Sequence, residues 1–337
     1  MKVMEMRDGW GLEHLKPGTR PEREPGPGEV LVKMAAASVN YRDFIVTRRG
    51  YGSLSGELPL IPLSDGAGTV TKIGAGVTRV ALGDLVCPAF AQSWISGPFK
   101  EEHRAGILGG SLDGVMQEYM LLPQQGVVKA PKGWSAIEAA TLPCAALTAW
   151  SAVIGAGVKP GDVVVTQGTG GVSLFAAMFA RMQGALAIVT SSSEEKLERA
   201  RGFGAALGIN YKTHPEWSRE VRQLLGGRGA DLILELGGAQ TLDQSLRAIR
   251  ASGTLAMIGV LSGAVAELNL GRVVTQNVRL QGVTVGNRDA FEEMVRAIDL
   301  NGAKPPIDEK RYAFDAVAEV IGAIAAGRHF GKICIAF

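Results

Sequence analysis

The spacing of apolar positions changes character along this chain, and the change falls near residue 136. Before it, short β-branched runs such as Val30–Met34 stand between turns rich in glycine and proline, which predicts a β-rich domain without long helices. After it, apolar runs of strand length alternate with stretches of helix length, and this alternation predicts a parallel, doubly wound sheet of the α/β class. The strands predicted there are Val163–Gln167, Ala187–Thr190, Leu207–Tyr211, Asp231–Leu236, Thr254–Val260 and Val278–Val285.

The β-rich texture returns at the C-terminus. Pro306–Phe314 and Lys332–Phe337 are predicted strands that flank a helix at Ala316–Ala326. Near the N-terminus, four prolines exclude a helix interior between Lys16 and Glu29 and predict a polar turn. Ala91–Asp113 is a long irregular segment, and loops of this length in compact domains are usually functional or mobile.

One stretch combines a strand, a glycine turn and a helix without interruption. Val163–Gln167 leads into Gly168-Thr169-Gly170-Gly171-Val172-Ser173, and the alanine-rich run Leu174–Gln183 follows. Glycines permit a sharp turn close to a pyrophosphate, whose charge is met by free N–H groups at the helix N-terminus. Ser173 stands where the third glycine of a dinucleotide motif is usual, and a glycine-rich turn of an unrelated α/β domain is the alternative. The supporting strands favour the dinucleotide site.

Composition and charge narrow the class of protein. The 337 residues are 46% apolar, and their net charge of +2 gives no electrostatic case for a nucleic-acid or membrane-surface partner. Cys87, Cys144 and Cys334 are odd in number and far apart, which excludes a disulfide framework and a CxxC metal motif and fits a cytoplasmic protein. The uncharged run Ala139–Val158 has the length of a membrane span, but its Pro143 and glycines favour buried segments of a soluble domain.

Further motifs extend over nearly the whole length of the chain. They are Pro25–Lys33, Pro62–Val70, Gly83–Val86, Leu142–Ala149, Lys159–Asp162 and His329–Lys332. With these motifs the sequence resembles the medium-chain dehydrogenase/reductase superfamily, in its zinc-independent, quinone-oxidoreductase-like branch. The resemblance implies a GroES-like domain at residues 1–126, completed by residues 302–337, and a Rossmann dinucleotide-binding domain at residues 127–301.

The resemblance also bears on metal binding. Zinc members of the superfamily hold a catalytic zinc with a Cys, a His and a second Cys; the first two matching positions here are Asn40 and Ser64, so only Cys144 matches. An amide and a hydroxyl do not supply the three N, S or carboxylate ligands that catalytic zinc requires. Asp65, which stands in the place of the family's carboxylate beside the His, is the one alternative ligand. The region that matches the structural zinc lobe, Ala91–Asp113, has no cysteine, and we predict no metal site.

Hydride transfer in this family belongs to a nicotinamide cofactor. We predict NADPH, because the second strand ends in Thr190-Ser191-Ser192-Ser193 where an NAD site places an acid, and because Lys196 can supply a cation to a 2′-phosphate. Glu194 and Glu195 oppose this unless they face solvent as first-turn helix acids, and helix capping by the serines is compatible with either cofactor. The resemblance implies cofactor contacts from Thr148, Gly168, Thr169, Gly170, Gly171, Val172, Ser191, Ser192, Lys196, Tyr211, Gly259, Val260, Leu261, Phe330, Gly331 and Lys332.

Without a metal, the protein itself must stabilise negative charge that develops on a substrate oxygen. By the resemblance, the candidate catalytic residues are Asn40, Tyr41, Asp43, Tyr51 and Ser64, of which the amide, phenol and hydroxyl groups can donate a hydrogen bond. Helix N-capping is the alternative for Asn40 and Asp43, and simple coverage of the cleft is the alternative for Tyr51. The four histidines have no Ser or Cys partner at motif spacing, which argues against a hydrolase triad.

These observations predict an NADPH-dependent, zinc-independent reductase of a quinone, an enone or a simple carbonyl. Two alternatives stay open: an alcohol dehydrogenase working toward oxidation, and a nucleotide-binding protein without catalysis. The small-molecule substrate is not identified by the sequence. A homodimer is expected from the resemblance and from the apolar run Val278–Val285, which is typical of an exposed sheet edge.

Overall fold

The computed structural model describes residues 1–337, and the chain divides into two compact units. Unit 1 comprises Met1–Leu147 together with Val285–Phe337, and unit 2 comprises Thr148–Thr284. The strands are β1 Lys2–Met6, β2 Leu15–Thr19, β3 Glu29–Ser38, β4 Asp65–Ile73, β5 Leu85–Pro88, β6 Tyr119–Pro123, β7 Val127–Lys129, β8 Val163–Gln167, β9 Leu186–Ser191, β10 Ala205–Asn210, β11 Ala230–Glu235, β12 Ile249–Met257, β13 Arg279–Gly282, β14 Ile307–Ala313 and β15 Lys332–Ala336.

Ten α-helices connect or cover these strands. They are α1 Tyr41–Thr47, α2 Ala136–Ala139, α3 Leu147–Gly155, α4 Gly171–Met182, α5 Glu194–Arg201, α6 Trp217–Leu224, α7 Leu242–Ala248, α8 Leu270–Thr275, α9 Arg288–Asn301 and α10 Val317–Ala325. The helical stretch Ala136–Gly155 is long and apolar enough to cross a membrane, but 72% of its apolar 18-residue window is buried within the protein. This burial agrees with the prediction of core segments.

Unit 1 is built on a seven-stranded sheet in the order β14-β15-β3-β4-β5-β7, with β6 also paired to β3. Its pairings are antiparallel except for the parallel pair β14 and β15. The C-terminal strand β15 joins β3 through the pairs Cys334 with Ser38 and Ala336 with Ala36. This antiparallel pairing places the start of β15, at Lys332 and Ile333, beside the residues that follow β3, where the candidate catalytic positions begin.

The boundary between the units differs from the predicted domain boundary. Residues 127–147 and 285–301, predicted to belong to the nucleotide-binding domain, lie in unit 1. The physical reason is that β7 pairs with β5 and that the Arg79 guanidinium forms an ion pair with Glu292 of α9. Both contacts are made to the β-rich sheet or its loops, and they hold these segments to unit 1.

Unit 2 contains a six-stranded, fully parallel sheet in the order β10-β9-β8-β11-β12-β13. The predicted parallel, doubly wound sheet is therefore confirmed. Buried apolar side chains of the strands and of α6 and α7 form its core, among them Val165, Ile188, Ile233 and Leu246. The strand order reverses between β8 and β11, and in open α/β sheets ligands bind at such a switch point, beyond the carboxyl ends of the strands.

Two predicted boundaries were wrong in detail. The predicted polar turn between Lys16 and Glu29 begins inside β2, where Pro17 is paired opposite Met4 in a two-stranded sheet. Proline is tolerated there because a strand with only one neighbour can leave its nitrogen outside the ladder. The predicted strand Val278–Val285 shortens to β13, which has only β12 as a partner.

Candidate active site and nucleotide-binding turn

A buried lysine lies among the polar side chains predicted for catalysis in unit 1. Lys332 is only 2% exposed, and its Nζ donates hydrogen bonds to Asn40 Oδ1 at 2.5 Å, to Val39 O at 3.0 Å and to Asp65 Oδ2 at 3.4 Å. An ammonium group has three donors and no acceptor, so all of its donors are used inside the protein. The sequence motif implied Lys332 only in cofactor binding. The signal that it belongs to this cluster is a single charged residue opening the otherwise apolar strand β15.

The side-chain amide of Asn40 has two polar atoms, and only the oxygen, Oδ1, is hydrogen-bonded, while the nitrogen, Nδ2, is unpaired. It is the N-cap residue of α1, and its backbone N–H donates to Asp43 Oδ2 at 2.7 Å. Because an ammonium can only donate, the atom that faces Lys332 must be Oδ1, and Nδ2 must point away from it. Nδ2 is buried and has no hydrogen-bond partner. A buried unpaired donor costs about 1–3 kcal/mol, which a ligand with an acceptor oxygen would recover.

Ser64 and Asp65 form a buried pair at the start of β4. Both are fully buried, and the Ser64 hydroxyl donates to Asp65 Oδ1 at 2.8 Å. The other carboxylate oxygen of Asp65 accepts from the Cys144 backbone N–H at 3.2 Å and from Lys332 Nζ. The only hydrogen of the Ser64 hydroxyl is therefore committed to Asp65, and Ser64 acts in the structure as a support for that carboxylate.

Asp43 caps the first turn of α1 and is fully buried. Besides the Asn40 N–H, its partner is Arg42, whose Nη1 lies 3.3 Å from Asp43 Oδ1. Burial raises the pKa of Asp43 to about 6, although the Arg42 charge opposes the rise. Capping, the alternative considered for Asp43, is therefore present, and a contact of Asp43 with substrate stays a prediction.

The two candidate tyrosines lie at the edge of this cluster. Tyr41 opens α1 and its ring contacts Phe44 with centroids 6.0 Å apart. Tyr51 is 42% exposed, and burial of its hydroxyl raises its pKa while the Arg42 charge opposes the rise. A phenol is protonated at neutral pH, so the Tyr51 hydroxyl can donate a hydrogen bond.

These groups do not fit a catalytic zinc ion. The positions that match zinc ligands carry an amide, a hydroxyl and one thiol, and a lysine ammonium is hydrogen-bonded to the amide. Burial raises the pKa of the Cys144 thiol, and the Asp65 charge adds to the rise, which disfavours the thiolate that a metal requires. Over residues 1–337, no group of three or more His, Cys, Asp or Glu could hold a metal ion.

In unit 2, the glycine turn has the geometry of a dinucleotide site. Gly168 adopts φ 82°, a left-handed conformation that favours glycine, and α4 begins at Gly171 without a side-chain cap. The first N–H groups of this helix therefore face the turn and can meet a pyrophosphate. Ser173, in the place of the third glycine, donates from Oγ to Gln167 O at 2.6 Å and ties the helix to the preceding strand. The turn fits the pyridine nucleotide that the motif predicted.

A buried carboxylate that the sequence pattern did not single out braces the loop after β11. Glu235 is fully buried and accepts hydrogen bonds from Gln167 Nε2 at 2.7 Å, from Gly238 N at 2.9 Å and from the hydroxyls of Thr241 and Ser245. Gln167 Oε1 in turn accepts from two backbone N–H groups of the loop. The network joins the carboxyl ends of β8 and β11, beside the glycine turn. An acid ending an apolar strand is the signal that could have found it.

The serines after β9 make local hydrogen bonds. Ser193 caps α5 by accepting from the Lys196 N–H at 3.3 Å, and Ser191 Oγ accepts from the Ser193 N–H at 3.3 Å. Glu194 accepts a hydrogen bond from Asn210 Nδ2 at 2.8 Å, which ties this exposed acid to the end of β10. Capping, the alternative considered for the serines, is therefore present for Ser193.

The remaining predicted cofactor residues divide between the units. In unit 1, Gly331 has φ 64°, and the Phe330 side chain is buried. In unit 2, Tyr211, Val260 and Leu261 are 42%, 49% and 54% exposed. Those positioned in unit 2 are Thr148, Gly168, Thr169, Gly170, Gly171, Val172, Ser191, Ser192, Lys196, Tyr211, Gly259, Val260 and Leu261. The catalytic candidates Asn40, Tyr41, Asp43, Tyr51 and Ser64 all lie in unit 1.

Comparisons with known proteins find two matching family models and relatives that extend over nearly the whole chain. The model of the alcohol dehydrogenase GroES-like domain matches residues 26–132, and the zinc-binding dehydrogenase model matches residues 171–299. A zinc-type alcohol dehydrogenase-like protein of Schizosaccharomyces pombe is 40% identical over 333 residues, which cover 96% of each chain. A solved structure from Sinorhizobium meliloti 1021 is 42% identical with a TM-score of 0.92, over 100% of this chain and 98% of that one. A solved NAD-dependent alcohol dehydrogenase is 34% identical with a TM-score of 0.90, over the full length of both.

Proposed function

The chain belongs to the medium-chain dehydrogenase/reductase superfamily, in its alcohol-dehydrogenase-like branch, and from this premise we propose that it reduces a quinone, an enone or a simple carbonyl without zinc, using NADPH. Its similarity to these relatives supports an NAD(P)H-dependent oxidoreductase. The proposal adds the substrate class, the direction of the reaction, the preferred cofactor and the absence of a metal. The non-catalytic alternative is set aside because the family is enzymatic.

The observation that carries the proposal is the Lys332 cluster. In zinc members, a metal at these positions withdraws charge from the substrate oxygen. Here the matching positions hold hydrogen-bonding groups. The positive charge in contact with them is the Lys332 ammonium, which lies 2.5 Å from Asn40 Oδ1. Reduced nicotinamide supplies the hydride when it is bound. A fixed, buried donor in unit 1 would then stabilise charge on a carbonyl oxygen without a metal.

The test is turnover with a small panel of acceptors. NADPH oxidation is followed with a quinone, an enal and an aldehyde, and NADP⁺ reduction is followed with primary and secondary alcohols. We expect reduction of at least one carbonyl compound. Activity confined to alcohol oxidation would instead support the second candidate, an alcohol dehydrogenase, which the names of the relatives favour.

The preference for NADPH rests on the end of β9. The run Thr190-Ser191-Ser192-Ser193 has no acid to repel a 2′-phosphate, and Asn210 holds the nearby Glu194 carboxylate. One solved relative is NAD-dependent, so the comparison of dissociation constants for NADPH and NADH is decisive. We expect tighter binding of NADPH and a selective loss of its affinity in Lys196→Ala. Equal binding of both cofactors by the unaltered protein would contradict the preference.

We also propose a homodimer formed through the open edge of the unit 2 sheet. All four residues of β13 are exposed, and β12 is its only partner within the chain. Val265, Leu270 and Val274, in the segment that precedes β13, are 91%, 66% and 73% exposed. An unpaired edge flanked by exposed apolar side chains favours pairing with a second copy.

A further inference from the structure

We propose that the Asn40 side-chain amide donates the hydrogen bond to the carbonyl oxygen of the substrate, and that Lys332 is the positioning residue that orients and polarises this amide. The inference rests on the proposed carbonyl reduction and identifies the donor on which that reaction depends. Its starting point is Asn40 Nδ2, which belongs to a residue only 9% exposed and has no partner in the protein.

The other buried donors of the cluster are already used. The Ser64 hydroxyl donates to Asp65, and the three hydrogens of Lys332 Nζ go to Val39, Asn40 and Asp65. Arg42 donates to Asp43 and to two backbone carbonyls. Asn40 Nδ2 is the buried donor that remains, and binding of an acceptor oxygen would remove the cost of leaving it unpaired.

Lys332 decides which way the amide faces. If the Asn40 amide were flipped, Nδ2 would face Nζ, and two groups that only donate would stand at 2.5 Å from each other. The lysine therefore permits one orientation and presents Nδ2 on the opposite side. A positive charge bound to Oδ1 also draws electron density from the amide and strengthens its N–H groups as donors. Lys332 thus acts on the substrate through Asn40, since it has no free hydrogen of its own.

In the reaction, the carbonyl carbon gains the hydride from reduced nicotinamide, the electron pair of the C=O bond moves to oxygen, and that oxygen then takes a proton from water. Asn40 Nδ2 stabilises the oxygen while its charge develops and keeps its own hydrogens. Preorganised donors of this kind contribute about 10²–10³ to kcat. The contribution should appear mainly in kcat, because the bond strengthens as the oxygen becomes anionic.

The experiment compares Asn40→Asp, Lys332→Met and the double variant at pH 8. Asn40→Asp keeps an oxygen for Lys332 and replaces the donor by a second acceptor. We expect kcat with the best carbonyl of the panel to fall about 10²–10³-fold with little change in KM. Lys332→Met should lower kcat as well, and the double variant should be no slower than the slower single variant. Asn301→Asp, the same exchange at an exposed position, is the matched control.

Full activity of Asn40→Asp would overturn the proposal, and so would losses of kcat in the two single variants that multiply in the double variant.

A second readout requires neither turnover nor a folded Lys332→Met variant. In protein labelled with ¹⁵N-asparagine, the Asn40 side-chain resonance is identified by its absence in Asn40→Asp and followed while N,N-dimethylacetamide, a carbonyl compound that hydride does not reduce, is added. A shift of this resonance supports the proposal, and no shift at millimolar concentrations contradicts it. If no carbonyl is reduced at all, the proposed function fails while this measurement still decides about Asn40.

Discussion

Replacing Lys332 by methionine should destabilise unit 1 strongly. The side chain is 2% exposed and faces a carboxylate, Asp65, that is fully buried. Methionine keeps most of the aliphatic stem and removes only the charge. The change leaves Asp65 without its ammonium partner and Asn40 Oδ1 and Val39 O without their donor. Breaking a buried pair from one side costs about 3–5 kcal/mol, a large fraction of the ~5–15 kcal/mol that stabilises a typical domain.

A double-mutant cycle separates this charge effect from packing. Asp65→Asn removes the carboxylate charge. Its remaining oxygen can accept from the Cys144 N–H, and its NH₂ group then faces the Ser64 hydroxyl, which can rotate to accept a hydrogen bond. Together with Lys332→Met, Asp65→Asn restores charge balance, so the double variant should lose less stability than the sum of the single variants. We expect a coupling energy of about 2–3 kcal/mol, near the upper end for side chains in contact.

Native-state hydrogen exchange on peptides from β3 and β15 is the suitable assay, because it reports opening of unit 1 even if the two units unfold separately. Lys304→Met is the matched control. Lys304 forms a 2.9 Å ion pair with Glu138 but is 60% exposed, so its loss should change stability by about 0–1 kcal/mol. A coupling energy below about 0.5 kcal/mol, or a Lys332→Met variant no less stable than Lys304→Met, would refute the reasoning.

Three further predictions concern pH, metal and assembly. Burial raises the pKa of Asp43 from 3.8 to about 6, so its contribution to stability is greatest below pH 4. That contribution falls by about 3 kcal/mol as pH rises through 6. The free energy of unfolding of Asp43→Asn should lack this decline when both proteins are measured from pH 4 to 8. Dialysis against a strong chelator should leave carbonyl reduction unchanged, whereas tightly held, stoichiometric zinc found by elemental analysis would contradict zinc independence. Light scattering should return a mass near twice 35.4 kDa, and Val274→Asp should lower it without lowering the melting temperature; a monomer at micromolar concentration would exclude the proposed edge pairing.

Local chemistry made much of the fold predictable from the sequence. The alternation of strands and helices after residue 136 and the turn at Gly168 depend on periodicity and on φ values that only nearby residues need to satisfy. The candidate residues Asn40, Asp43 and Ser64 were instead identified through the family resemblance, which rests on motifs spread over nearly the whole chain. The position of Glu235 at the end of an apolar strand is also visible in the sequence, but its role as a hydrogen-bond acceptor for the following loop is established only by the fold.

Tertiary structure decided what these residues can do. Asn40 and Lys332 are 292 positions apart, and only the pairing of β15 with β3 brings them into contact. The sequence left Asn40 open between helix capping and substrate contact. In the fold, the Asn40 backbone N–H donates to the Asp43 carboxylate at the start of the helix, while the Asn40 side-chain oxygen accepts from Lys332. The orientation of an amide is set by whichever donor reaches its oxygen, and here that donor comes from the other end of the chain. No local pattern contains such information, because it arises from the pairing of two strands that are far apart in the sequence.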